Sequence, residues 1–321
     1  MRLIMGSLLS LLCLACSPSP KKAVFSHTGA GAKEKEQSID SVKVPGPKEK
    51  DPTQANTGAS TGGPTVQTEG SEGGQVEPTI DPKDRVGWKL VWSDEFDSTR
   101  IDEKSWNFEI WNPGRVNNEL QGYTNRTENA RIEDGQLVIE ARKDNYNGMG
   151  YTSARLTTQG KRSWTYGRIE AKFKVTSALG TWPAFWMMPE DQSLGWPNCG
   201  EIDIFEQVGF EPDVVHGTTH TRDFSGVNGR SGNKTVANLP GGYHVYAVEW
   251  FEDHIDWIVD DTKYYTLQKS SSRSENYPFA KPFHIILNFA IGGAWGGSKG
   301  VDPVLPNQKM WVDYVRVYEK K

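Results

Sequence analysis

The stretch "GRIEAKFKV" (167–175) places Ile169, Ala171, Phe173 and Val175 on one side of the chain and Arg168, Glu170, Lys172 and Lys174 on the other. An extended strand, with its repeat of two, gathers those four apolar residues on a single face, whereas a helix would scatter them around its circumference. The same alternation runs through "GQLVIEARK" (135–143), "YHVYAVEWFEDHIDWIVDD" (243–261), "FHIILNFAIGG" (283–293) and "MWVDYVRVYEK" (310–320). Clusters of Gly, Pro, Asn and Asp separate these stretches. No segment of comparable length carries helical spacing. Many short strands without long helices predict an all-β fold, a two-sheet antiparallel β-sandwich or β-jelly roll. A concave sheet face lined with polar and aromatic side chains would then form a groove for an extended ligand.

The strand patterns occupy residues 86–321, which is enough chain for one domain with a substantial core. All twelve Trp lie there, and those in strand patterns (Trp88, Trp250, Trp257 and Trp311) are expected in the core. Cys199 is the only cysteine of this domain, so packing rather than an internal disulfide must hold it. The chain ahead of it reads differently. Met1 and Arg2 precede an apolar run from Leu3 to Ala15, too short to span a bilayer, which predicts a signal peptide over 1–16. Its end, "LCLAC", resembles the lipobox of bacterial lipoproteins, in which the Cys, here Cys16, is lipidated and held at a membrane; an ordinary signal peptide cut nearby is the alternative. Residues 17–85 are mostly Pro, Gly, Ser, Thr, Lys, Glu and Gln, a composition that predicts a disordered linker. The formal net charge of −5 offers nothing to nucleic acid. The expected protein is therefore an exported monomer, a bacterial cell-envelope or outer-membrane lipoprotein or else secreted, and under that reading the sequons at Asn125 and Asn233 carry no weight.

"GEIDIFEQVG" (200–209) departs from simple alternation, because it sets Glu201, Asp203 and Glu206 among residues fit for a buried strand. Glu201 and Asp203 share one face and Ile202 and Ile204 the other. Glu206 has the wrong parity. In a regular strand its carboxylate would enter the apolar layer, where a lone charge costs several kcal/mol or is given up. A bulge at Ile204 and Phe205, two residues in one ladder position, returns Glu206 to the face of Glu201. Four effective strand steps then separate the two Cα atoms by roughly 13 Å, and if each side chain leans inward by roughly 4 Å the carboxyl groups stand about 5 Å apart, the separation used by retaining glycosidases. On that reading Glu201 is the charged nucleophile, Glu206 the protonated general acid that later acts as base, and Asp203 the neighbour that tunes both in a coupled titration. A calcium site or a solvated strand face are the alternatives for such a cluster, although ligands along one extended strand seldom surround an ion.

The same residues carry a resemblance. "GEIDIFEQVG" resembles the active-site strand of glycoside hydrolase family 16 in its bulged branch, with the pattern E-x-D-x-x-E. "LVWSDEFDSTRID" (90–102), "NNELQGYT" (117–124), "YTSARLTTQGKRSWTYGRIEAKFKV" (151–175), "GTWPAFWMMPE" (180–190), "HGTTHT" (216–221), "NFAIGGAWGG" (288–297) and "MWVDYVRVY" (310–318) resemble that family's laminarinases in the same order. Phe205 stands where many laminarinases have Met, and Cys199 where Ala or Ser is commoner. The resemblance implies a β-jelly roll and endo-hydrolysis of β-1,3-glucan with retention of configuration and no catalytic cofactor. Other polysaccharides (mixed-linkage glucan, agar, carrageenan) are the alternative substrates, and a non-catalytic glucan-binding module the alternative function, which the retained Glu201 and Glu206 argue against.

By the same resemblance Trp182, Trp186 and Trp196 are sugar platforms, Asn118, Glu119 and Arg155 bind hydroxyls near the cleaved bond, and His220 lies in the groove near the acid/base. For Glu119 an ion pair with an arginine is the competing reading, and for each Trp burial in the core. The alternation His216, Thr218, His220 puts His220 on a polar face. A structural Ca²⁺ held by Glu95, Gly135 and Asp313 is a further implication of the resemblance, with an ion pair or turn as the alternative role for Asp313.

Overall fold

The computed structural model describes residues 83–270 and 277–321. The signal peptide with Cys16, and the linker as far as residue 82, lie outside the described residues. Two antiparallel sheets make up the fold. In the larger, eight-stranded one the order is β15 (Thr262–Gln268), β14 (His254–Val259), β13 (His244–Trp250), β8 (Gly167–Val175), β17 (Gln308–Lys320), β5 (Gln136–Ala141) and β4 (Ala130–Glu133). β1 (Trp88–Asp94) joins it beside the second half of β17, while β5 pairs with the first half. The smaller, seven-stranded sheet runs β12 (Arg230–Thr235), β11 (Val214–His220), β10 (Glu201–Glu206), β9 (Thr181–Pro189), β16 (Phe283–Ile291), β7 (Arg155–Thr157) and β2 (Asn107–Phe108). A short parallel pair, β3 (Gln121–Tyr123) with β6 (Tyr151–Ser153), completes the described strands. The one helical element among the described residues is a 3₁₀ turn, Gly226–Asn228.

The inner faces of the two sheets make the core, and the alternation read from the sequence decides which residues reach it. Ile169, Ala171, Phe173 and Val175 of β8 enter it, as do Phe283, Ile285, Leu287, Phe289 and Ile291 of β16 and Phe185 and Met187 of β9. Trp88, Trp250 and Trp257 are buried as expected. Trp311 is not in the core. It lies between Met310 and Val312, both fully buried, so strand parity sends its indole to the outer face, where Lys174 and Lys309 approach the ring at 4.8 and 5.6 Å.

Candidate active site

The register of β10 contains the bulge. Against β9, Asp203 is opposite Trp186 and Phe205 opposite Phe185, so Ile204 is the extra residue. Against β11, Glu201 is opposite His220, Asp203 opposite Thr218 and Glu206 opposite His216. Between Asp203 and Glu206 two residues of β10, Ile204 and Phe205, thus stand against one of β11, Gly217. Ile204 and Phe205 both turn into the core, where Phe205 packs against Phe173 and Tyr246 with ring centroids 4.9 and 4.4 Å apart. Glu206 emerges on the face of Glu201, four ladder steps away as counted on β11 from His220 to His216.

Because residues paired across antiparallel strands share a face, the ladder defines what surrounds the acids. Arg155 of β7, Asn288 of β16, Ala184 of β9, Glu206 and His216 form one row across the sheet. Thr157, Ile286, Trp186, Asp203 and Thr218 form the next. The polar alternation of β11 therefore faces the acids, as the sequence pattern predicts.

Each acid has an aromatic or imidazole partner. Trp182 Nε1 donates to Glu206 Oε1 at 2.9 Å, and Trp196, whose indole is half exposed in the loop before β10, donates through Nε1 to Glu201 Oε2. His220 Nε2 is 3.3 Å from Asp203 Oδ2, and its ring is 5.8 Å from that of Trp196. Asp203 and Glu206 are buried, and Glu201 is partly so. Burial raises all three carboxyls: Glu201 up to about 8 and Glu206 up to about 7, with desolvation as the main cause and a neighbouring carboxylate adding to it. Asp203, the deepest, is raised well above the usual carboxylate range by desolvation and by Glu206. Burial and mutual repulsion thus favour the protonated form of all three carboxyls, while the sequence reading assigns Glu201 a charge during the reaction. Glu201, Asp203 and His220 also bring one donor atom each within 4.8 Å of one another, a spacing that a divalent cation could use.

Such a bulged acidic strand, set in a two-sheet β-fold, has counterparts among known proteins. The profile of glycosyl hydrolases family 16 matches residues 117–316. The chain belongs to that family. A β-glucanase from Rhodothermus marinus is 50% identical over 243 residues, covering 72% of this chain and 85% of the relative. Among solved structures, the laminarinase from Rhodothermus marinus superimposes with a TM-score of 0.69 at 49% identity, covering 72% of this chain and 97% of that one. The catalytic domain of an endo-1,3-β-glucanase (laminarinase) from Thermotoga petrophila does so with 0.67 at 42% identity, covering 73% and 98%.

The other residues that the family resemblance singles out are distributed unevenly around the acids. Trp186 donates to Asn288 Oδ1 at 2.7 Å, and Arg155 covers one of its faces at 4.5 Å. Arg155 also lies 4.4 Å from the ring of Trp111, and its Nε bonds Glu109. The guanidinium is therefore a spacer between two indoles, anchored by a carboxylate. Glu119 is buried and has no arginine partner among the described residues; Asn117 and Gln121 donate to it at 3.1 and 2.8 Å, and Tyr123 OH at 3.4 Å. Tyr123 in turn accepts from Asn288 at 3.0 Å, which links Glu119 to Trp186. Asn118 is exposed with a positive φ of 55°.

Several neighbours escape sequence reasoning. Trp295 packs edge-on against Trp182 at 5.6 Å and against His216 at 5.0 Å; its place in the Gly-rich "IGGAWGG" segment was the available signal. Trp111 and Glu109 carry no local signal, since their partner Arg155 is remote in sequence. For the calcium site, Glu95 accepts from Arg316 at 3.0 and 2.8 Å and pairs with Lys83 at 3.4 Å, while Asp313 pairs with Lys172 at 2.8 Å. Gly135 occupies the β4–β5 turn with φ 73°. Both carboxylates already face cations, so this donor set fits Ca²⁺ poorly as it stands.

Proposed function

We propose that the protein is a retaining endo-hydrolase of β-1,3-glucan. The observation that carries this reading is the β10 register, which turns Glu201 and Glu206 to one groove face at four ladder steps. The names of the similar proteins, β-glucanase and laminarinase, support the substrate. In the first displacement Glu201 attacks the anomeric carbon while Glu206 gives its proton to the departing glycosidic oxygen. In the second, Glu206 takes a proton from water, which displaces Glu201 from the sugar and restores the starting configuration.

Burial raises both carboxyls, Glu201 up to about 8 and Glu206 up to about 7, which suits Glu206 as the acid and leaves the Glu201 anion to be stabilised during the first displacement. Positive charge developing at the anomeric carbon lies against Glu201 and favours its anion, and the Trp196 N–H already points at that anion. Burial and the Glu206 charge raise the Asp203 carboxyl well above its ordinary range, and its hydrogen bond with Glu201 ties the protonation of the two together. The two carboxyl groups supply nucleophile and acid, and no cofactor is required for either step.

Trp196 is the sugar platform best placed by exposure. Trp182 and Trp186 form the groove floor, oriented by Glu206 and by Asn288. Glu119, Asn118 and Arg155 border the same face, with Arg155 acting by stacking as much as by its donors. A Ca²⁺ at Glu95, Gly135 and Asp313 would have to displace Lys172 and share Glu95 with Arg316; a rise in Tm on adding Ca²⁺ that Asp313→Asn removes would establish it. The lipid anchor at Cys16, an envelope location and a monomeric state complete the proposal, with mass spectrometry of the exported N-terminus as the check on the first.

The protein should release oligosaccharides from laminarin, with the newly formed ends in the β configuration by NMR immediately after cleavage. Glu201→Ser should abolish release and leave laminarin binding intact. Normal hydrolysis by that variant, or α-configured new ends, would overturn the reading.

A further inference from the structure

Trp257 belongs to β14 of the larger sheet and is fully buried, yet its indole reaches across the core to the smaller sheet. Its Nε1 donates to the backbone carbonyl of Asp203 at 2.7 Å. That carbonyl belongs to the last regular residue before the bulge, and its peptide plane leads into Ile204, the extra residue. We propose that Trp257 is a positioning residue for the reaction: by holding the Asp203 carbonyl it fixes the start of the bulge and so aims Glu206. This rests on the assignment of Glu206 as acid/base.

Two glycines make the reach feasible. A Cβ on Gly217, in β11, would stand 2.2 Å from Trp257 Cδ1 and 2.6 Å from its Nε1. A Cβ on Gly232, in β12, would stand 2.4 Å from Tyr265 Cγ, and Tyr265 packs on Trp257 with ring centroids 5.0 Å apart. The strand facing β10 and the strand beyond it thus each lack a side chain where the two rings of the larger sheet press in. β14 itself shifts register against β15 between Trp257 and Ile258, so the reaching residue sits at an irregularity of its own strand. A Trp that only filled space would need no donor direction. Trp250 is such a case: equally buried on the adjacent β13, it packs between Tyr166 and Phe283, and its Nε1 has no hydrogen-bond partner among the described residues.

The comparison is Trp257→Phe against Trp250→Phe in the whole protein. Both remove indole volume from the same core, and only the first removes the N–H on Asp203. Trp257→Phe should lower kcat on laminarin by about tenfold to a hundredfold with KM within about twofold, as expected when a reacting group is misaimed. It should lose several-fold less on an aryl β-glucoside whose leaving group needs no proton. Trp250→Phe should leave both the kcat and the ratio between the two substrates near wild type, even where its Tm falls as far. Gly217→Ala, which pushes the indole off the bulge, should reproduce the Trp257→Phe pattern. Backbone amide exchange at Ile204, Phe205 and Glu206 should quicken in Trp257→Phe and not in Trp250→Phe; this readout stands whatever the substrate proves to be, and so separates failure here from failure of the proposed function. Unchanged exchange at these three amides, or equal losses on both substrates, would overturn the role.

Discussion

Among the individual side chains, Glu206 shows how one residue's setting becomes a rate law. Burial pushes its carboxyl up to about 7, with the Trp182 N–H pulling the other way. A general acid must hold its proton, so hydrolysis of laminarin should fall as pH rises through about 7. Glu206→Gln should flatten that limb and cost far more on laminarin than on activated aryl glycosides, because the latter leave without protonation. Equal losses on both substrates would count against the acid role. Arg155 gives a second prediction at this scale. Its planar guanidinium fits between Trp111 and Trp186 at 4.4 and 4.5 Å, which an ammonium on a flexible stem cannot copy. Arg155→Lys should therefore raise KM for laminarin several-fold while the anomeric outcome stays the same; steady-state kinetics on short and long oligosaccharides would show it. The identities of the three acids could be read from the sequence because parity alone isolates Glu206. The stack around Arg155 could not, since Glu109, Trp111, Arg155 and Trp186 come from four separate stretches that only the ladder brings together.

For the strand element, parity is the controlling quantity, and it yields opposite outcomes for deletion and insertion. Removing Ile204 deletes the extra residue, leaving Glu201, Asp203 and Glu206 on one face and still four steps apart end to end. Such a variant should fold with a lowered Tm and retain measurable hydrolysis. Inserting one Ala between Phe205 and Glu206 turns the glutamate toward the core, and hydrolysis should vanish together with several kcal/mol of stability. If the deletion is dead while the insertion works, the parity argument fails. Phe205→Ala should cost about 3–5 kcal/mol, because the ring is wedged against Phe173 and Tyr246 beneath the bulge. The bulge was legible in the sequence from the wrong parity of a single carboxylate. Its support from the opposite sheet was not, because the Trp257 contact joins residues 54 positions apart and its strand pattern looks like any buried one. Trp311 shows the complementary lesson: a Trp within an alternating strand has an even choice of faces, and the parity of Met310 and Val312 was the cue that decides it.

At the level of the whole molecule, the alternating stretches of the sequence foretell the sandwich, while the order of strands within each sheet depends on long-range pairings that no local pattern reveals. The cost of burying three neighbouring carboxyls is also a whole-molecule property. Carboxyls whose folded values are raised above their ordinary ones contribute most below pH 4.5 and lose that contribution as pH climbs through about 7 and 8. Tm should therefore decline between pH 5 and 9. Glu201→Gln should remove part of the decline, gaining about 1–2 kcal/mol at pH 9, and Asp203→Asn should act in the same direction; parallel Tm profiles for wild type and variants would contradict this. The placement of both glutamates within the six residues of β10 has one more consequence. Their separation is a length of backbone, like marks on a ruler, and does not depend on how two lobes close around the sugar. Warming or mild denaturant that loosens the surrounding loops should weaken the grip on glucan chains first, while each molecule that still captures one continues to cut it at an undiminished pace.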